Sequence, residues 1–315
     1  MLLSCLSCHA PTPLTIAVIP RTSGIMVWES AHRGAQAAAV NLGVRIYWNA
    51  PTREDDVDGQ IALVERVAEG SYQGLVLAPD QALALITPVR RAMLSGLPIV
   101  IIGSPLPIPP GNRLSYILND EDEAGRIAAR RLAKLLHGKG FVAILGIDPD
   151  VSGIITRANS VEQYLAANYP DIHVVQKRRG SFNQPHEQQV AEETLRANPN
   201  LDAIVALMWT SASGAIAAID GKMKSGTVKV IAFDPESISF QTDTLDSVVL
   251  QNTREMGELS VRLIHAELEG HTVPAITKLE PKLVTRENLN TPEVREWTSM
   301  DWRPGSQRWD WSRTP

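Results

Sequence analysis

From residue 14 onward, short and continuously apolar runs alternate with longer amphipathic stretches, and the whole pattern is played twice. Runs such as Thr15-Ile16-Ala17-Val18-Ile19 and Gly74-Leu75-Val76-Leu77-Ala78 leave no wet face. They read as strands buried on both sides, which requires a parallel sheet with helices covering each face. In the first half, strands are expected over residues 14–19, 44–48, 74–78, 98–102 and 114–118. Helices are expected over 26–42, 57–69 and 83–94, the last carrying Pro88 as a kink or a split. Ala31, Ala35, Ala38 and Ala39 give the first helix a small-residue face, and Gly43 ends it. The proline-rich segment 104–111 is not helical.

A helix over 119–136 follows, acidic in its first turn and basic later, which suits the helix dipole. The pattern then restarts, with strands over 141–147, 172–176, 203–208, 228–233 and 247–251. Helices are expected over 156–168, 185–197 and 211–223, from Glu236, and over 255–268. The expected fold is α/β, with two similar Rossmann-like lobes, each a parallel sheet covered on both faces. The chain crosses between the lobes near 118–120, near 251–253 and again near Pro281. This divides it into a leader 1–13, an N-terminal lobe 14–118 plus 252–281, a C-terminal lobe 119–251 plus 282–290, and a tail 291–315.

In an open parallel sheet, ligands sit beyond the carboxyl ends of the strands. The run Val228 to Phe233 ends in Phe233-Asp234-Pro235, so Asp234 stands where a carboxylate either faces a cleft or caps the next helix.

Composition narrows the function. At 315 residues and 44% apolar content the chain can bury the cores of two domains. A net charge of -5 and a pI near 5.8 argue against a nucleic-acid partner. No apolar run is long enough to span a bilayer. The two cysteines, Cys5 and Cys8, precede the first strand, so the folded body has no disulfide. Leu2-Leu3-Ser4-Cys5 resembles a bacterial lipobox, which makes Cys5 the lipidation candidate and Cys8 a weaker one. Cys5-Leu6-Ser7-Cys8-His9 also fits a c-type haem attachment pattern, but it sits at an extreme terminus with no haem-sized domain around it. A disordered leader is the plain alternative.

Phosphate-binding loops, dinucleotide fingerprints and nucleophile elbows are lacking. His186-Glu187 has no second histidine at zinc-protease spacing, and the seven histidines are scattered. The chain is therefore expected to be no enzyme and to need no metal or cofactor. Four of its tryptophans, Trp297, Trp302, Trp309 and Trp311, fall in the tail at a spacing of neither helix nor strand. That reads as an extended segment lying over a lobe, or as a docking segment or flap.

The order of these features resembles the type I periplasmic binding proteins, in particular the ribose- and galactose-binding branch. The residues that carry it are Thr15 to Ile19, then Trp28 and Gly34-Ala35-Gln36; Gly74 to Pro79; Gly96-Leu97-Pro98-Ile99-Val100; Asn119-Asp120 with Gly125; Arg157, three before Ser160; Phe233-Asp234; and Gln251. In that family two lobes close on a sugar. Aromatic faces stack on the ring, while charged and amide groups bond its hydroxyls. The resemblance implies Trp28 and Phe182 as stacking residues. It implies Arg157, Phe233, Asp234 and Gln251 as pocket residues, and Asn119 and Asp120 as crossover residues that either touch ligand or cap a helix.

Departures bear on the ligand. Gly103 and Ser104 stand where the ribose-type pattern has Asp-Arg, Met208 and Trp209 where it has Asn-Asp, Ala78 at an amide position, and Arg21 and Ile25 in the first loop. Ribose itself becomes doubtful. With Arg21 and Arg157 both facing the cleft, a sugar acid becomes a candidate. Met208 and Trp209 favour a less hydroxylated ligand.

The resemblance implies a monomeric extracytoplasmic solute-binding protein, periplasmic or lipid-anchored. It would pass a sugar or sugar derivative to the membrane permease of an ABC importer. The alternatives are a sensor presenting its ligand to a membrane receptor or kinase, or the effector domain of a lactose-repressor-like regulator without its DNA-binding part.

Overall fold

The computed structural model describes residues 13–111, 113–221, 227–235 and 238–298. Cys5 and Cys8, with the lipidation and haem readings placed on them, lie outside the described residues, as do Trp302, Trp309 and Trp311. The first half runs β1 (Thr15–Ile19), α1 (Met26–Leu42), β2 (Arg45–Trp48), α2 (Val57–Glu69), β3 (Gly74–Leu77), α3 (Ile86–Leu94), β4 (Ile99–Gly103) and β5 (Leu114–Asn119). It continues through α4 (Glu121–Leu135), β6 (Gly140–Ile147), α5 (Ser152–Asn168), β7 (Ile172–Arg179), α6 (Gln184–Ala197), β8 (Ala203–Ala206), α7 (Trp209–Gly221) and β9 (Lys229–Phe233). The last elements are β10 (Leu245–Leu250), α8 (Thr253–Leu268), β11 (Ile276–Leu279), β12 (Lys282–Thr285) and α9 (Pro292–Thr298).

These strands form two six-stranded sheets, ordered β11-β5-β4-β3-β1-β2 and β12-β10-β9-β8-β6-β7. Three strand-to-strand passages change sheet: β5 to β6, β10 to β11, and β11 to β12. All pairings are parallel except β10 with β12, which is antiparallel, so the second sheet is mixed rather than purely parallel.

Strand periodicity sorts the core. In the first sheet Ala17, Ile19, Leu75, Leu77, Ile99 and Ile101 face one side with α2 and α3. Ile16, Val18, Val76, Val100 and Ile102 face the other with α1 and α8. The second sheet does the same, Ile144, Val205, Ile231 and Phe233 on one side and Leu145, Ile204, Val230 and Val248 on the other. The small-residue face of α1 has a partner: α1 lies against α8, and a Cβ added to Gly257 would stand 1.9 Å from the carbonyl oxygen of Ala31.

Pro88 neither kinks nor splits α3. The helix begins at Ile86, so Pro88 occupies its first turn, where the N–H has no intrahelical partner to lose. No helix is present over residues 238–244, where one was expected after Pro235; that stretch is irregular. α9 is the opposite case, a helix in a segment read as neither helix nor strand. The spacing that misled was that of the tryptophans; the burying residue is Val294, which joins the core of the second lobe. Trp297 packs at the edge of that core beneath Lys282, whose ammonium lies 4.9 Å from the ring centroid. No described helix is long and apolar enough to cross a membrane.

Candidate functional site: a cavity between the lobes

The carboxyl ends of both sheets face one cavity of about 80 Å3. That is space for several waters, since one needs roughly 10–15 Å3 on this measure. Arg21, Trp28 and Glu54 reach it from the first lobe, and Arg157, Phe182, Trp209 and Asp234 from the second.

Asp234 sits where β9 ends. Its φ of 43° is in the left-handed region, where Asp is one of the few side chains tolerated, so the turn aims the carboxylate along the sheet edge. The carboxylate accepts the Gln251 backbone N–H at 3.0 Å, and a second bond from the Gln251 side-chain amide. Nη1 of Arg157 lies 3.2 Å from Oδ2. Burial pushes Asp234 above the usual carboxylate range, against the pull of Arg157.

Arg157, on α5, is held on every side. Nε and Nη2 engage both oxygens of Glu121, and Nη1 also donates to the Leu207 carbonyl at 3.0 Å. The ring of Phe233 lies under it at 4.9 Å. Burial opposes the charge, but Glu121 and Asp234 outweigh it and raise Arg157 further.

Arg21 leaves the end of β1 and donates to Asp80 through Nε at 3.1 Å and Nη2 at 3.0 Å. Its guanidinium covers the Phe182 ring of the other lobe at 4.9 Å. Burial pushes Asp80 up, while Arg21 pulls it down by less. Gln60, fully buried, braces both loops: it donates to the carbonyls of Pro20 and Ala78 and accepts from the Asp80 N–H.

Glu54 accepts Nε1–H of Trp28 and Nε1–H of Trp209, each at 3.1 Å, one on either oxygen. Trp209 opens α7, so this carboxylate ties the two lobes together through two indoles.

Of the residues expected from sequence, Arg21, Trp28, Arg157, Phe182, Met208, Trp209, Asp234 and Gln251 border the cavity. Asn119, Asp120 and Phe233 are not on its wall. Asp120 caps α4, accepting from the Glu123 N–H at 2.9 Å. Asn119 donates to the Gln251 side chain, behind the site and across the crossover. Phe233 is fully buried as the platform for Arg157. Two carboxylates were missed. Glu54 lies in the loop between β2 and α2, and Glu121 in the acidic first turn of the helix over 119–136, which the helix dipole explains. No spacing marks either one; the signal for each is a partner distant in sequence.

The substituted positions Ala78, Gly103 and Met208 do line the cavity and make much of its wall apolar. Arg21 and Arg157 both face it, the condition set for a sugar acid, and each is paired with carboxylate, Arg21 with Asp80 and Arg157 with Glu121 and Asp234.

A hinged α/β binding protein is the class that two like lobes sharing one buried, mixed cavity define. The chain belongs to the periplasmic binding protein domain family, whose model matches residues 16–272. It is similar to the D-allose-binding periplasmic protein of Escherichia coli, at 27% identity over 89% of this chain and 93% of that one. It also resembles the ribose import binding protein RbsB of Bacillus subtilis, at 25% identity over 84% and 87%. Among solved structures, a carbohydrate transporter solute-binding protein from Agrobacterium radiobacter in complex with D-arabinose superposes with a TM-score of 0.83. That pair is 25% identical and covers 92% of this chain and 100% of the other.

Proposed function

We propose that this protein is an extracytoplasmic solute-binding protein that takes a small carbohydrate-like ligand between its lobes and delivers it to an ABC importer. The observation that carries this reading is the shared wall of the cavity. Arg21 meets Phe182, and Glu54 meets Trp209, across the gap between lobes. A ligand held there touches both lobes and favours their closed arrangement by its differential affinity. The aromatic and aliphatic wall suits the apolar face of a sugar ring, and Asp234, Gln251 and Ser104 suit its hydroxyls. In this reading the first lobe comprises 14–118 plus 252–281 and the second 119–251 plus 282–290, with hinges at the three passages. The protein works as a monomer, makes and breaks no covalent bond, and has the importer's membrane permease as its macromolecular partner. The relatives support the same role.

The test is a thermal-shift screen of purified protein against pentoses, hexoses, polyols, amino sugars, amino polyols, aldonic acids and uronic acids. A ligand binding only the native state raises the melting temperature by mass action. The expected result is a shift with a neutral or basic carbohydrate, lost in Asp234→Ala. A flat response from folded protein across the panel contradicts the proposal.

A further inference from the structure

The charged groups on the cavity wall do not balance. Five are present: the guanidinium groups of Arg21 and Arg157, and the carboxylates of Glu54, Glu121 and Asp234. Arg21 is neutralised from behind by Asp80. Arg157 is shared by Glu121 and Asp234, so it has at least one full countercharge. Glu54 stands apart. It is 8% exposed, its partners are two neutral indoles, and among the described residues no cation pairs with it. Buried carboxylates are ordinarily paired with a cation. An indole N–H bond on each oxygen satisfies only part of each oxygen's acceptor capacity.

We propose that the ligand of this cleft carries a protonated amine, an amino sugar or amino polyol, whose ammonium group seats against Glu54 beside Trp28 and Trp209. This rests on the solute-binding reading above and names its substrate class. An ammonium at Glu54 supplies the missing countercharge. It also brings donors that the remaining lone pairs of the carboxylate oxygens accept. The hydroxyl-bearing part of the ligand then lies toward Asp234 and Gln251. The same imbalance disfavours an anionic ligand, which would meet Glu54, Glu121 and Asp234 together.

The test is calorimetric titration of wild type and Glu54→Gln with D-glucosamine, D-galactosamine and 1-amino-1-deoxy-D-sorbitol. The uncharged controls are D-glucose, D-galactose, sorbitol and the two N-acetylated hexosamines. At pH 7 at least one amine binds tenfold or more tighter than its uncharged parent, and acetylation of a preferred hexosamine abolishes that advantage. Glu54→Gln weakens the amine at least tenfold more than it weakens the uncharged parent, whose affinity reports the loss of the lobe-to-lobe bond alone. Parents that bind as tightly as amines, or a Glu54→Gln effect equal on both, overturn the ammonium proposal and leave the carbohydrate reading standing. Failure of amines and parents alike, with folding confirmed by circular dichroism, overturns both.

Discussion

Glu54 of the first lobe and Trp209 of the second share a hydrogen bond of 3.1 Å across the cavity, while the other oxygen of Glu54 holds Trp28 of its own lobe. One carboxylate therefore both lines the site and latches the lobes. A bond from an uncharged donor to a carboxylate contributes about 1.5–3 kcal/mol. Trp209→Phe keeps an aromatic ring but removes the indole N–H donor together with the pyrrole half of the bicycle. It is expected to shift the closed-to-open equilibrium of the ligand-free protein toward open by about tenfold or more, since ~1.4 kcal/mol is one decade. Single-molecule energy transfer between dyes on the two lobes measures this directly. An unchanged distribution contradicts the latch.

Arg157 is expected to be the least replaceable charged residue of the second lobe. Removing it leaves buried Asp234 and half-buried Glu121 near one another without a cation, and breaking such a pair costs about 3–5 kcal/mol. Arg157→Ala should therefore lower the urea midpoint strongly and abolish ligand binding. Adding Asp234→Asn to Arg157→Ala should recover part of the stability and none of the binding.

Glu267 provides a pH-dependent prediction away from the cleft. Burial raises its pKa, against a weaker pull from Arg113. It also lies in the last turn of α8, where the helix dipole disfavours negative charge by about 0.3–1 kcal/mol. A raised carboxylate pKa makes the native state the tighter proton binder. Its contribution is fully present below the unfolded value of about 4.3 and is lost as pH rises through the folded value. Glu267→Gln should accordingly melt higher than wild type at pH 7 and no differently near pH 3.5. An equal or lower melting temperature at pH 7 would refute this.

The contact of α1 with α8 depends on backbone approach. A Cβ on Gly257 would overlap the Ala31 carbonyl, and one on Gly34 would stand 1.8 Å from the Arg254 carbonyl oxygen. Gly257→Ala is expected to destabilise by at least the ~1–3 kcal/mol typical of overpacking. Gly270→Ala, at a left-handed φ of 85° with open space around it, should cost less. Chemical denaturation of both variants checks the order.

Much of the fold was legible because its determinants are local. The apolar runs of β1, β3 and β4, the alanine face of α1 and its glycine stop at Gly43 lie in contiguous sequence. The short strands β11 and β12 were not, because each is only 4 residues long and half-exposed in pattern, completing a sheet whose other members are distant. The same distinction divides the site. Asp234 is visible as the carboxylate that ends a buried strand. Glu54 is not, since what sets it apart is a tryptophan 155 residues away in the chain. The family resemblance points to Arg157 as a pocket residue and leaves Arg21 at the cleft as a condition, and the carboxylates that pair with them are invisible in sequence because they are distant in the chain.

The most direct test of the central claim is small-angle scattering with and without saturating ligand, using the best hit of the carbohydrate and amino-carbohydrate panel. Binding between hinged lobes predicts a smaller radius of gyration on ligand addition, absent in Asp234→Ala. Saturable binding that leaves the radius unchanged, or that survives Asp234→Ala and Arg157→Ala undiminished, would place the ligand elsewhere and contradict the account.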